Sequence, residues 1–423
     1  MMKDTRRLLV AICALAVLVR LGGFVVLDRL HHPEYWETET VAMNLLQGKG
    51  FVYPFYGTLY RSYIEPLYPY LCALIYGLTH HSTMALAFVH TLLGTVLVWL
   101  VFVCGRLLVS ESVALVAALL AALHPGLILY TTKFHPFVLD SVLFLSVFSM
   151  CLIVATNVRW RCLVVLGLLT GLCLLSRPTI MACLPLMSWW VWTRSPVLRR
   201  TRLLRVGVVL ACAALLSGIW VVRNYRIHKR FILTRSGTSL VFWLGNNPYR
   251  FTGSALDATG EPLINAIPED LHRHLLALDE LGQQDLLMAQ AQRYVRDHPL
   301  AFLKRWGVKW WYFWWFSPQA GLLYRTRWFR VYQGFYAIIL GFALVGTWGY
   351  QRDQTVEPGH RRGAWLLWGF CCSIALLQSL FYIEGRHRLA IEPVMLIFTS
   401  YGLWWTSAWA AVKLPAVFAL RSG

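Results

Sequence analysis

Leu8-Leu-Val-Ala-Ile-Cys-Ala-Leu-Ala-Val-Leu-Val-Arg-Leu-Gly-Gly-Phe-Val-Val-Leu27 leads almost directly into His31-His-Pro-Glu-Tyr-Trp-Glu-Thr-Glu-Thr40. The first stretch is long and apolar enough to cross a bilayer as a helix. The second sets three carboxylates, Glu34, Glu37 and Glu39, at the mouth of that span. Asp and Glu together number only 20 in 423 residues, so this is a concentration of a scarce residue type. Charge at a membrane boundary is expensive to keep and marks a candidate reaction centre.

The rest of the chain agrees with a membrane reading. It is 58% hydrophobic and 14% charged, where soluble chains are about a quarter charged. Further apolar stretches at 83–104, 113–131, 136–155, 162–176, 179–193, 204–222, 332–350, 364–382 and 389–411 join 8–27. Together they predict about ten transmembrane helices. Residues 53–79, interrupted by Pro66 and Pro69, read instead as an aromatic helix over 60–76 lying in the outer interface. Lys3, Arg6 and Arg7 precede a run too long for a signal peptide, with no small-residue cleavage site after it. That run is expected to stay as an anchor with the amino terminus in the cytoplasm.

Cations sort onto alternate connections. Arg106, the pair Arg159 and Arg161, the group from Arg194 to Arg205, the group Arg352, Arg361 and Arg362, and the tail cations Lys413 and Arg421 fall on the inner side. The expected fold is an all-α polytopic membrane protein in three parts. Residues 1–222 form a transmembrane core with the first outer loop at 28–82, 223–331 a periplasmic loop, and 332–423 the last transmembrane helices. Within the long loop, Leu271, Leu275, Leu278, Leu286, Leu287 and Tyr294 recur at helical spacing, and 304–316 suits an interfacial helix. No internal repeat of the transporter kind is present.

The formal charge of +19 comes without a basic tail or RNA-binding motif, so it is assigned to topology and lipid phosphate rather than nucleic acid. The cysteines, among them Cys13, Cys104, Cys151, Cys173 and the pair Cys371-Cys372, fall in or beside apolar runs and read as core packers. His80-His81 lacks a matching ligand set. No metal site is predicted and no cofactor is implied.

On a helix Glu34 and Glu37 would share a face, whereas in an extended segment Glu37 and Glu39 would align. Glu37 is central in both cases and is the candidate general base for an acceptor hydroxyl, with Glu39 beside it. Asp140, near the outer end of a span, is a second candidate acid, and Lys133 its candidate partner. Arg177, Arg223, Arg386 and Arg388 all fall at outer ends, where guanidinium forks, with Lys133, would grip a lipid phosphate. Arg61, Glu65 and Tyr68 in the aromatic stretch are candidate substrate contacts.

Trp36-Glu-Thr-Glu-Thr-Val-Ala-Met-Asn-Leu-Leu-Gln-Gly-Lys-Gly-Phe51 followed by Glu65-Pro-Leu-Tyr-Pro-Tyr70 resembles the first outer loop of bacterial GT-C glycosyltransferases. These are the relatives of protein O-mannosyltransferases (glycosyltransferase family 39) and lipid A aminoarabinose transferases. Ala122-Leu-His-Pro125 with Asp140, Leu175-Ser-Arg-Pro178, Trp220-Val-Val-Arg-Asn-Tyr225, Leu244-Gly-Asn-Asn-Pro248 and Arg386-His-Arg-Leu-Ala-Ile-Glu-Pro393 resemble later family landmarks in the right order.

The resemblance implies a GT-C bundle and a metal-independent or metal-assisted transfer of one sugar from a polyprenyl-phosphate donor. The acceptor would be a glycolipid, polysaccharide or protein hydroxyl on the periplasmic face of the bacterial inner membrane. It gives Glu37 the part of base and Glu39 that of second acid in an acid-x-acid pair, and it matches Asp140 to the second family acid. Two departures stand out. Glu37 replaces the Asp usual in better-known branches, and Ile64-Glu65 replaces the lysine of the aminoarabinose branch, which argues against that sugar. A single displacement would invert the anomeric centre. The alternatives are a transporter or flippase for polyprenyl-linked glycans, or a non-catalytic scaffold.

Overall fold

The computed structural model describes residues 3–195, 197–249, 252–256, 262–320 and 326–419. Arg421 lies outside the described residues, as does the side chain of Lys413. The expected apolar segments fold as α1 (Lys3–Val26), α4 (Thr83–Leu108), α5 (Glu111–Leu123) with α6 (Pro125–Thr132), α7 (Phe137–Thr156), α8 (Trp160–Ser176), α9 (Leu184–Thr193), α10 (Arg199–His228), α15 (Thr326–Arg352), α16 (Pro358–Gln378) and α17 (Glu392–Ala419). Between them lie α2 (Glu37–Leu46), α3 (Leu67–Thr79) and an outer group made of α11 (Thr238–Gly245), α12 (Glu269–Leu276), α13 (Glu280–Asp297) and α14 (Pro299–Trp314).

The figure of about ten spans is not confirmed by helix length and composition. Among the described residues five helices (α1, α4, α7, α10 and α15) are long and apolar enough to cross a membrane, or six if α5 and α6 count as one. That pair bends by 47°. Pro125 cannot continue α5, and His124 caps the new helix by accepting a hydrogen bond from the Leu127 N–H at 3.3 Å. The stretch 179–193 begins as a 3₁₀ turn, Pro178–Cys183, before becoming α9. The outer connections also start elsewhere than expected: α10 runs on to His228 and α15 begins at Thr326.

Small residues set the closest helix contact. Gly346 of α15 faces the carbonyl of Phe398 on α17, and Gly402 of α17 faces that of Phe342, with no room for a Cβ at either. Without a hydrophobic drive inside lipid, such backbone approach is how membrane helices gain dispersion contact.

The first outer loop differs from the single interfacial helix expected over 60–76. It begins with α2 and then forms a hairpin, β1 (Tyr53–Phe55) against β2 (Thr58–Tyr60), with Phe55 opposite Thr58. Tyr56 and Gly57 at its tip both have positive φ, 45° and 76°, as a two-residue hairpin turn requires. Only after Pro66 does α3 begin.

The outer group is pinned onto this loop by α13. Glu280 accepts hydrogen bonds from the Arg61 N–H (2.6 Å), the Ser62 N–H (3.1 Å) and the Ser236 hydroxyl (2.6 Å). Gln283 accepts from the Tyr60 hydroxyl at 2.7 Å and donates to the Tyr56 carbonyl at 2.9 Å. Leu240, Trp243, Leu271, Leu275, Leu287 and Ala291 close a small core of their own beneath, so part of the leucine periodicity read from sequence does become packing. The loop and the outer group thereby enclose a space between them.

Candidate active site

That space is a cavity of about 1120 Å³. Its walls are the first turn of α2, residues 63–68, the start of α7, the end of α8 with Pro178–Ala182, the segment 230–244, and residues 377–387. Charged side chains arrive there from distant parts of the chain.

Glu37 arrives as the first residue of α2, half-buried in the cavity wall. Among the described residues no hydrogen bond or ion pair engages its carboxylate. It lies close to two phenols: burial first, and then the Glu37 charge, pushes Tyr63 well above its usual range and raises Tyr53. Two positions along the same helix, Glu39 points away, because adjacent positions on a helix diverge by about 100°. Glu39 is 9% exposed and pairs with His81 Nε2 at 3.1 Å. Burial raises its pKa, opposed by the hydrogen bond from His81 and by the nearby Tyr76 hydroxyl. Glu39 does not line the cavity.

Asp140, in the first turn of α7, is 2% exposed. It accepts a hydrogen bond from the Ser176 hydroxyl at 2.5 Å and faces Arg177 Nη1 at 3.6 Å. Its partner is therefore Arg177 and not Lys133. Lys133 sits at the end of α6, and the turn through Phe134 (φ 49°) and Pro136 separates it from α7. It pairs with Glu34 at 3.1 Å instead. Arg177 also reaches Gln378 Oε1 and the His387 carbonyl, each at 3.4 Å, and lies over the Phe137 ring.

Arg386 stands in the 3₁₀ turn Gly385–Arg388, paired with Glu384 at 2.8 Å. Burial works against its charge, but Glu384 and Tyr382 outweigh it and hold the guanidinium above its usual pKa. Arg388, two positions on, points the opposite way. It is fully buried against Glu392 (2.9 Å), the Trp315 carbonyl (2.6 Å) and the rings of Phe316 and Tyr336, outside the cavity.

Of the other expected contacts, Glu65 and Tyr68 line the cavity, while Arg61, Lys133 and Arg223 do not. Arg223 instead donates to the Arg61 carbonyl at 2.6 Å and the Ser62 hydroxyl at 2.8 Å, bracing the loop. Tyr68 turns its hydroxyl to His90 Nε2 at 2.7 Å. Glu65 pairs at 3.3 Å with Arg235, a further cavity residue, although nothing local in the sequence links positions 65 and 235. Glu384, directly before Gly385-Arg386, was the one missed acid with a local signal.

The charges in the wall pair off. Arg177 meets Asp140, Arg235 meets Glu65, Arg386 meets Glu384, and at the exposed rim Arg230 meets Asp285 at 2.7 Å. Among the described residues, Glu37 alone of the lining carboxylates is left over. A free carboxylate facing buried guanidiniums across one space is equipped to take a proton on one side and hold an anion on the other. Among the described residues no group of three or more His, Cys, Asp or Glu side chains is placed to hold a metal ion.

Residues 65–221 match the family model described as dolichyl-phosphate-mannose-protein mannosyltransferase. No curated protein matches the chain. In fold it is similar to the archaeal oligosaccharyltransferase AglB from Archaeoglobus fulgidus, solved with an inhibitory peptide and a dolichol-phosphate. That likeness has a TM-score of 0.53 at 14% identity and covers 99% of this chain and 52% of the other. An Archaeoglobus fulgidus oligosaccharyltransferase in complex with Zn and sulfate gives 0.51 at 16% identity, over 97% and 50%. The chain spans about half the length of these structures. The fold is thus similar to that of these oligosaccharyltransferase structures, in line with the GT-C bundle that the resemblance implied.

Proposed function

We propose, from this GT-C architecture, that the protein is an inverting glycosyltransferase that moves a single sugar from a polyprenyl-phosphate donor to a hydroxyl group. The donor phosphate lies toward Arg386 and Arg177, and the acceptor hydroxyl toward Glu37. Glu37 removes the hydroxyl proton as the oxygen bonds to the anomeric carbon, and the carbon–oxygen bond to phosphate breaks on the opposite face. Asp140 keeps Arg177 in place and charged. The observation that carries this reading is the Glu37 carboxylate, unpaired among the described residues, sharing one cavity with the Asp140–Arg177 and Glu384–Arg386 pairs. The dolichol-phosphate bound to the archaeal protein of similar fold supports a lipid phosphate as ligand.

The reaction would take place on the periplasmic face of a bacterial inner membrane, with an envelope glycolipid, polysaccharide or protein as acceptor. The test supplies purified protein with a radiolabelled polyprenyl-phosphate sugar and candidate acceptors. Glu37→Gln should abolish transfer while leaving donor binding intact. Transfer undiminished in Glu37→Gln would reject the base, and donor binding with no transfer by the wild type would favour a flippase or scaffold.

A further inference from the structure

His135 stands in the cavity wall without a part in that chemistry. The chain takes trouble to put it there. Phe134, just before it, holds a left-handed φ of 49°, an outlier for a bulky residue, and Pro136 just after it fixes the start of α7. The imidazole stacks on Phe137 at 4.2 Å and meets Trp36 edge-on at 5.0 Å, so two neighbouring rings fix its plane.

Its two nitrogens face different surroundings. Nδ1 is sealed from solvent and has no hydrogen-bond partner, so a proton there would be buried without an acceptor. Nε2 is not sealed, and no described residue bonds to it. The single proton of the neutral ring therefore belongs on Nε2, where the cavity is. Burial, and then the charges of Arg386, Arg177 and Lys133, hold the imidazole well below its usual pKa, so it remains uncharged.

We infer that His135 completes the phosphate cradle, donating an Nε2–H hydrogen bond to an oxygen of the donor phosphate between the guanidiniums of Arg386 and Arg177. This rests on the proposed function and names a further group in contact with the donor. When the bond from the anomeric carbon to the phosphate oxygen breaks, its electron pair stays on that oxygen, and the phosphate passes from one negative charge to two. The acceptor proton goes to Glu37, and the imidazole keeps its own. A neutral donor strengthens its hydrogen bond as that charge grows and adds no fixed cation to a wall that already has guanidiniums in ion pairs.

The experiment titrates polyprenyl monophosphate into detergent-purified wild type, His135→Phe and His135→Gln, with the polyprenyl alcohol of equal length as control. His135→Phe keeps the ring stack without a donor, and His135→Gln keeps an N–H. Monophosphate binding should weaken about tenfold in His135→Phe and largely recover in His135→Gln, with alcohol binding unchanged in both. Monophosphate binding unchanged in His135→Phe, or an equal loss of alcohol binding, would overturn the inference. If wild type binds the monophosphate no better than the alcohol, the lipid-phosphate reading falls and takes this inference with it. The expected binding pattern without any sugar transfer would keep His135 in the cradle and remove only the enzymatic reading.

Discussion

The Arg386 guanidinium lies 5.7 Å from the centroid of the Trp36 ring, the residue immediately before Glu37. The loop after α1 and the 3₁₀ turn before α17, far apart in the sequence, thus meet across an aromatic face. The Trp36 indole also donates to the Lys133 carbonyl at 3.1 Å, so the same ring ties in the entry to α7.

This contact can be tested by substitution. Arg386→Ala should weaken donor binding by roughly 10- to 100-fold, the worth of a charge-assisted hydrogen bond. Trp36→Leu should have a smaller effect of the same kind, about threefold, from loss of the ring over the guanidinium. Equilibrium binding of a polyprenyl-phosphate sugar measures both. A Trp36→Leu loss larger than that of Arg386→Ala would show that the ring acts mainly on Glu37.

The Asp140–Arg177 pair makes a stability prediction. Asp140→Asn leaves a buried guanidinium without its counter-charge, which should destabilise the protein by about 3–5 kcal/mol. Replacing both residues, Asp140→Asn with Arg177→Met, should restore much of the melting temperature without restoring transfer. Thermal unfolding in detergent separates the two outcomes. If the double variant melts no higher than the single one, the pair is not what holds this corner.

Glu39 predicts a pH dependence of opposite sign from the usual paired carboxylate. Burial raises its folded-state pKa above the ordinary 4.5, despite the hydrogen bond from His81 and the nearby Tyr76 hydroxyl. The folded state therefore binds the proton more tightly than the unfolded one. Its contribution to stability is fully present below pH 4.5 and is lost as pH rises through the folded value. Glu39→Gln should remove that decline, so its melting temperature relative to wild type should increase as pH rises from 4.5 toward neutrality. A constant difference across that range would contradict the assignment.

Several of these features were legible in the chain itself. Apolar length located the helices, and scarcity of acids drew attention to residues 34–39. Spacing also gave the divergence of Glu37 and Glu39, once the helix start at Glu37 was known. What sequence could not supply was long-range pairing. Asp140 has a cation a few residues upstream, yet its partner comes from the end of the next helix, because the turn at Phe134 sends Lys133 elsewhere. Arg386 and Arg388 look equivalent in the string, but a tight 3₁₀ turn sends one to the cavity and the other to Glu392. The hairpin at Tyr53–Tyr60 rests on a Tyr-Gly tip, weaker than the Asn-Gly or Asp-Gly that usually announces such a turn.

Each guanidinium in the cavity wall already has a carboxylate for company. A lipid phosphate entering there would be a rival for those cations and not the occupant of a vacancy, so tight grip would be traded for easy exchange. Once the sugar had left, Glu384 would stand ready to reclaim Arg386 and loosen the spent carrier. An enzyme that must hand a scarce carrier lipid back to the membrane has more to gain from such rivalry than from a stronger hold.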